Sequence, residues 1–259
     1  MSLEIFAGIM LPFLGTALGS GCVFFMKSGM KPSVERNLNG FAAGVMVAAS
    51  IWSLLLPAID QAADLGKWSF LPAAGGFWLG ILTILLSERL IAFLQEKRKQ
   101  NELNRRMKKS AMLALAVTLH NLPEGIAVGV AFAGWLAGNE RMALSGALAL
   151  TVGIAVQNFP EGAIISMPLH GEGTGKFLSF LYGTLSGVVE PVGAVLTILA
   201  SGFFSAILPY CLSFAAGAMF YVVVEELLPE IPDRKQANIR MIVFSLGFTL
   251  MMMLDVAFG

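Results

Sequence analysis

Long apolar runs separated by short polar stretches make up nearly the whole chain. Eight of these runs reach the roughly 20 residues that a helix needs to cross the hydrocarbon core of a bilayer. They cover residues 3–26, 38–60, 70–94, 110–135, 142–168, 177–203, 206–229 and 237–258. The pattern predicts an all-α membrane protein, a single transmembrane domain over residues 1–259 with eight transmembrane helices. The first run starts at Leu3 behind no basic segment and ends without a small-x-small cleavage signal, so it reads as a retained helix. Gly15 with Gly19, Gly40 with Gly44, and Gly76 with Gly80 are small-x-x-x-small pairs that allow membrane helices to approach closely.

Composition sharpens this picture. The chain is 56% hydrophobic and 13% charged, against about 25% charge in soluble domains. Net charge is zero, so nothing points to a nucleic-acid partner. Cys22 and Cys211 sit far apart inside apolar runs and form no disulfide framework or C-x-x-C site. The longest polar stretch is 95–109. With that stretch on the cytoplasmic side, fifteen Lys and Arg fall inside and only Lys67 and Arg141 outside. Eight spans then put both termini outside, in a multi-pass protein of the cell membrane surrounded by lipid. A homodimer is an option the sequence leaves open.

Polar groups at membrane depth carry the chemistry. The fourth run holds His120-Asn121-Leu122-Pro123-Glu124-Gly125 and the fifth Gln157-Asn158-Phe159-Pro160-Glu161-Gly162. Asn, Pro, Glu and Gly recur in register on adjacent spans, which run in opposite directions. That is an inverted-repeat arrangement, with a site expected at the repeat interface. His120 lies eleven residues beyond Lys109, roughly 16 Å along a helix rising about 1.5 Å per residue. Half the hydrocarbon core is about 15 Å, so the motif falls near the midplane. His120 and Glu124 share a helix face at i and i+4, as do Gln157 and Glu161. Pro123 and Pro160 each free a carbonyl one turn back and bend their helices, and Gly125 and Gly162 allow backbones to close in. Glu190, followed by Pro191, adds a third carboxyl at similar depth. For Asn121 and Asn158, satisfying backbone groups beside the prolines is an alternative role, and for Glu190, capping a broken helix.

An ionised carboxylate at the bilayer centre costs about 2.5–3.5 kcal/mol, so three cost roughly 8–10. That is comparable to the ~5–15 kcal/mol that holds a domain folded. They must be protonated, paired or metal-bound. No Lys or Arg lies at this depth in the fourth to sixth runs. Imidazole with carboxylates suits zinc and its first-row neighbours; all-oxygen sites suit magnesium or calcium. Zn2+ as transported substrate is the first choice, with Fe2+, Mn2+ and Cd2+ as further candidates. Met46, Ser53 and Asp60 form a stripe on the second run, and Asp60 and Asp255 fall near the outer end as an acidic entrance. Glu225, Glu226 and Glu230, with Glu88, fall near the inner end as an exit.

At these residues the chain resembles the ZIP (Zrt-, Irt-like protein) family of metal transporters. HNLPEG and QNFPEG resemble its fourth- and fifth-helix signatures, and MPLHGEG, LYGTLSGVVEPVGA and FAAGAMFYVVVEELLPE resemble its prokaryotic GufA branch. The resemblance implies a binuclear metal centre and uptake into the cytoplasm. It assigns one metal to His120, Glu124, Gln157 and Glu161, and a second to Asn121, Glu124, Asn158, Glu161 and Glu190. It sets Met46 beside the first, Ser53, Asp60 and Asp255 at the entrance, and Glu226 at the exit. It also implies alternating access, with the motif helices moving against the others. Many relatives have His at the position of Gln157 and Asp at that of Asn158, and both differences weaken ligation.

Two other functions compete. An intramembrane metallohydrolase needs an open metal position and a general base, usually within H-E-x-x-H. That string and G-x-S-x-G are both absent. A metal-gated receptor needs an extramembrane domain to pass on its signal, and the apolar runs leave no room for one. The expectation is therefore a transporter and not an enzyme.

Overall fold

The computed structural model describes residues 3–26, 31–96, 121–138, 143–171, 173–200, 207–228 and 234–258. The regular structure among these residues is helical, with no strand. Seven helices are long and apolar enough to cross a membrane. In chain order we number them with the remaining helix: α1 (Leu3–Phe25), α2 (Pro32–Gln61), α3 (Phe70–Glu96), α4 (121–136), α5 (Leu144–Gly171), α6 (Lys176–Leu199), α7 (Leu208–Val222) and α8 (Arg234–Phe258). The polar stretch 97–109 and His120 lie outside the described residues, and so does the side chain of Glu226.

Helix α2 begins at Pro32, six residues before the apolar run that predicts it. Proline at the first turn needs no N–H there, so a polar opening turn is helical without being apolar. Further along, α2 widens into a π turn at Ser50–Leu55. Helix α7 ends in another at Val223–Leu227, where Leu228 N–H bonds the carbonyl of Val223 at 3.0 Å. Each π segment is followed two residues later by a proline, Pro57 or Pro229. A proline leaves the carbonyl four residues back without its N–H, and a wider turn is one way for the backbone to adjust. Helix α5 stays helical through both Pro160 and Pro168. Helix α6 is interrupted at Gly187 and Val188, between Lys176–Ser186 and Val189–Leu199.

Three long pairings organise the packing: α1 with α5, α2 with α8, and α3 with α7. Glycine lets each pair close. A Cβ on Gly44 would strike the backbone of Phe244 and Phe248, and one on Gly247 the backbone of Phe41. The α3–α7 pair does the same with Gly76, Gly80 and Gly217. Gly15 and Gly19 seat α1 against the backbone of Ala155 and Phe159 on α5. All three small-residue pairs of the sequence thus have a glycine at a helix crossing. Aromatic contacts flank two of the crossings, Trp52–Phe248 at 5.4 Å and Phe77–Phe220 at 5.5 Å between ring centres.

The outer surface is apolar. Trp78, Leu82, Leu86 and Leu90 follow one face of α3 and are exposed, and Met241, Ile242, Leu246 and Met253 are exposed on α8. Such stripes exceed what a soluble protein presents to water and fit lipid. This is a multi-pass membrane protein.

Candidate metal centre

Helices α1, α4, α5 and α6 meet around a cluster of polar side chains. Asn121, Glu124, Gln157, Asn158 and Glu190 are at most 1% exposed, and Glu161 is 6% exposed. Glycines bring the backbones together. The nearest neighbour of Gly125 is the backbone of Glu190 on α6, and that of Gly162 is Thr16 on α1. The two motif glycines therefore close α4 on α6 and α5 on α1. The interruption of α6 puts Glu190 in the first turn of its second half.

Hydrogen bonds join Asn121, Glu124, Gln157, Asn158 and Glu190 into one network. Gln157 Nε2 donates to Glu124 Oε1 at 2.5 Å and to Asn158 Oδ1 at 3.0 Å. Asn158 Nδ2 donates to Glu190 Oε2 at 2.7 Å and to the carbonyl of Pro12 at 3.4 Å. Asn121 Nδ2 donates to Glu190 Oε1 at 2.9 Å and to the carbonyl of Ser186 at 3.3 Å. Thr16 Oγ1 donates to Glu190 Oε1 at 3.2 Å. Each amide nitrogen faces two oxygen acceptors, which fixes the orientation of all three amides. Gln157 Oε1 and Asn121 Oδ1 are then buried with no hydrogen-bond partner. Buried carbonyl oxygens without donors are ready to meet a cation. Among the described residues no three His, Cys, Asp or Glu side chains converge by themselves on a metal position. The described cluster interleaves its carboxylates with amides, and the imidazole of His120 falls outside those residues.

Thr16 and the carbonyl of Pro12 belong to this site although sequence reasoning passed over them. The one proton of Thr16 is shared with the carbonyl of Pro12 at 3.4 Å, the backbone acceptor one turn back that hydroxyls favour in any membrane helix. Nothing in the apolar run around Thr16 distinguishes it.

The outlying positions separate into two kinds. Ser53 Oγ and Asp255 Oδ1 meet at 2.5 Å, joining the π turn of α2 to α8 across 202 residues. Asp60 is exposed two turns further along α2. Met46 is fully buried in the apolar core that also holds Ile154 and Met251. Glu88 accepts a hydrogen bond from Tyr221 at 2.7 Å, tying α3 to α7.

Known proteins resemble the chain along its length. The profile of the ZIP Zinc transporter family matches residues 94–255. Zinc transporter ZIP11 of Xenopus tropicalis is 33% identical, over 99% of this chain and 98% of its own. Zinc transporter GufA of Myxococcus xanthus is 33% identical over 98% and 99%. Zinc transporter ZIPB of Bordetella bronchiseptica is 35% identical over 95% and 79%.

The chain belongs to the ZIP family.

Family membership makes it a metal transporter and not an enzyme; none of these three relatives is a hydrolase. In this ZIP protein α4 and α6 supply the carboxylates of Glu124 and Glu190 to the buried network, α5 the amides of Gln157 and Asn158 that join them, and α1 the hydroxyl of Thr16.

Proposed function

We propose that the chain takes up Zn2+ into the cytoplasm through a site between α4 and α5. Gln157, Glu124 and Glu161 supply oxygen ligands to the ion, and His120 an imidazole. The observation that carries this reading is the pair of buried motifs joined by the Gln157–Glu124 hydrogen bond, with Gln157 Oε1 left free for an ion. A divalent ion there neutralises two carboxylates that are costly in the membrane without a counter-charge. The zinc-transporter relatives support the choice of metal. Fe2+, Mn2+ and Cd2+ are secondary substrates.

In this reading α4 completes an eight-span bundle, and α4 and α5 form the core of an inverted repeat. Ions enter past Asp60, Ser53 and Asp255 and leave past Glu226. Met46 lines the core beside the site. The α1–α4–α5–α6 group moves against the α2–α8 and α3–α7 pairs during transport. The basic stretch 95–109 faces the cytoplasm and both termini face outward. A single cysteine in that stretch should stay unlabelled by an impermeant thiol reagent in intact cells, and labelling would reverse the topology.

The activity itself is tested by radiolabelled zinc uptake into liposomes containing the purified chain, with other divalent ions as competitors. Saturable uptake, blocked best by unlabelled zinc, is expected. Uptake no faster than in empty liposomes would refute the reading.

A further inference from the structure

The orientation of the three buried amides decides how many ions this site takes. We propose that the chain holds one metal ion where the family's ligand pattern provides for two, because Asn121, Asn158 and Thr16 occupy Glu190 by hydrogen bonding and so fill the second position. The proposal rests on the transport site described above and adds its stoichiometry.

Both oxygens of Glu190 are engaged. Asn121 and Thr16 donate to Oε1, at 2.9 and 3.2 Å, and Asn158 donates to Oε2 at 2.7 Å. Hydrogen bonds to an ionised carboxylate are shorter and stronger than neutral ones, so this shell takes the place of a cation around Glu190. Asn158 Oδ1 already accepts the N–H of Gln157 at 3.0 Å, so an ion there would share one neutral oxygen with that donor. Turning the amide over instead removes the N–H groups from Glu190 and from the Pro12 carbonyl. Turning it over leaves buried acceptors without their donor, which is the costly outcome in a dry site. Asn121 Oδ1 stays without a hydrogen-bond partner, but one neutral oxygen brings no charge to balance a second divalent ion. On the other side of the network Gln157 Oε1 lies on the same residue that bonds Glu124, so the first position keeps its ligands.

One atom at position 158 controls the difference. With aspartate there, an oxygen would stand where Nδ2 now meets Glu190 at 2.7 Å. Two carboxylates at that separation cannot both stay ionised without a cation or proton between them. Asn158→Asp therefore opens the second position, and Glu190→Gln does not close the first. Asn158 is thus the residue that determines stoichiometry, and Glu190 a positioning residue that acts through Asn158 and Gln157.

The test counts metal. The purified full-length chain is equilibrated with Zn2+, and bound zinc per chain is measured by mass spectrometry of the metal and by calorimetry. A Glu124→Ala, Glu161→Ala double variant serves as the blank for surface binding. We expect one ion above the blank in the parent chain and two in Asn158→Asp. Glu190→Gln should still bind one, with affinity reduced by no more than the about 10–100-fold that a supporting partner beyond the ligands costs. Two ions in the parent, with one lost in Glu190→Gln, would overturn the proposal. No ion above the blank in the parent would instead refute the transport site itself. Should Asn158→Asp not fold, the parent and Glu190→Gln decide between these outcomes.

Discussion

The α2–α8 and α3–α7 pairs and the α1–α4–α5–α6 group are built from the same small and apolar residues, yet they bury different things. In the two pairs, glycines on both partners bring backbones together and aromatic rings fill the flanks. Among the described residues their polar links are single contacts: Tyr221 to Glu88 and Ser213 to the carbonyl of Pro72 between α3 and α7, and Ser53 to Asp255 between α2 and α8. In the four-helix group, glycines close the backbones around five polar side chains that are almost wholly buried. Close packing thus serves two ends. In one region it is the source of cohesion, since lipid offers no hydrophobic drive between helices. In the other it makes a dry chamber whose amides and carboxylates must satisfy one another or an ion.

Substitutions can break this contrast in order of severity. The largest effect belongs to Gly44→Leu, whose side chain would collide with the backbone of Phe244 and Phe248. Overpacking costs about 1–3 kcal/mol in cores that can adjust and more where only backbone is in the way. Loss of monodisperse protein in size-exclusion chromatography is expected. A normal elution profile and melting temperature would mean that α2 and α8 are not held by this crossing.

Next come Glu124→Ala and Glu161→Ala. Each should leave a folded protein whose zinc uptake falls beyond the about 10–100-fold cost of losing a mere supporting partner. Here transport, and not folding, is the sensitive readout. Near-normal uptake by either folded variant would remove the four-helix group's claim to be the ion path.

Gln157→His should have a smaller and opposite effect on binding. Neutral imidazole is a better zinc ligand than a primary amide, so zinc should bind more tightly. An ion held more firmly also leaves more slowly, so the apparent KM should fall while the maximal rate stays equal or drops. Zinc titration and uptake kinetics on one preparation check both. Unchanged zinc affinity would mean that position 157 does not face the ion.

How much of this was legible in the sequence depends on the kind of interaction. Apolar runs locate helices because span length is a property of consecutive residues. The polar first turn of α2 escapes that rule, since Pro32 and an acidic Glu35 start a helix without hydropathy. The break in α6 at Gly187 falls inside an uninterrupted apolar run, so the pattern reads straight through it. The repeated Asn-x-Pro-Glu-Gly points to α4 and α5, because buried carboxylates are rare enough in membrane helices to stand out. Thr16 does not stand out. Its bond to Glu190 spans 174 residues and exists only once α1 lies against α6. Amide orientation is equally hidden: whether Asn158 offers N–H or oxygen is decided by the acceptors around it, Glu190 and the Pro12 carbonyl.

The most direct test of the central claim uses the shortage of alternative ligands in this chain, which has two histidines and two cysteines. Zinc K-edge X-ray absorption on the purified protein loaded with one equivalent of Zn2+ reads the ligand types. The account predicts a first shell of nitrogen and oxygen at about 2.0–2.2 Å, with no sulfur at the about 2.3 Å of a thiolate. It predicts one imidazole, whose multiple-scattering signal disappears in His120→Ala. An imidazole signal that survives in His120→Ala, or a thiolate shell at about 2.3 Å in the parent, would mean that the ion sits elsewhere and would contradict the account.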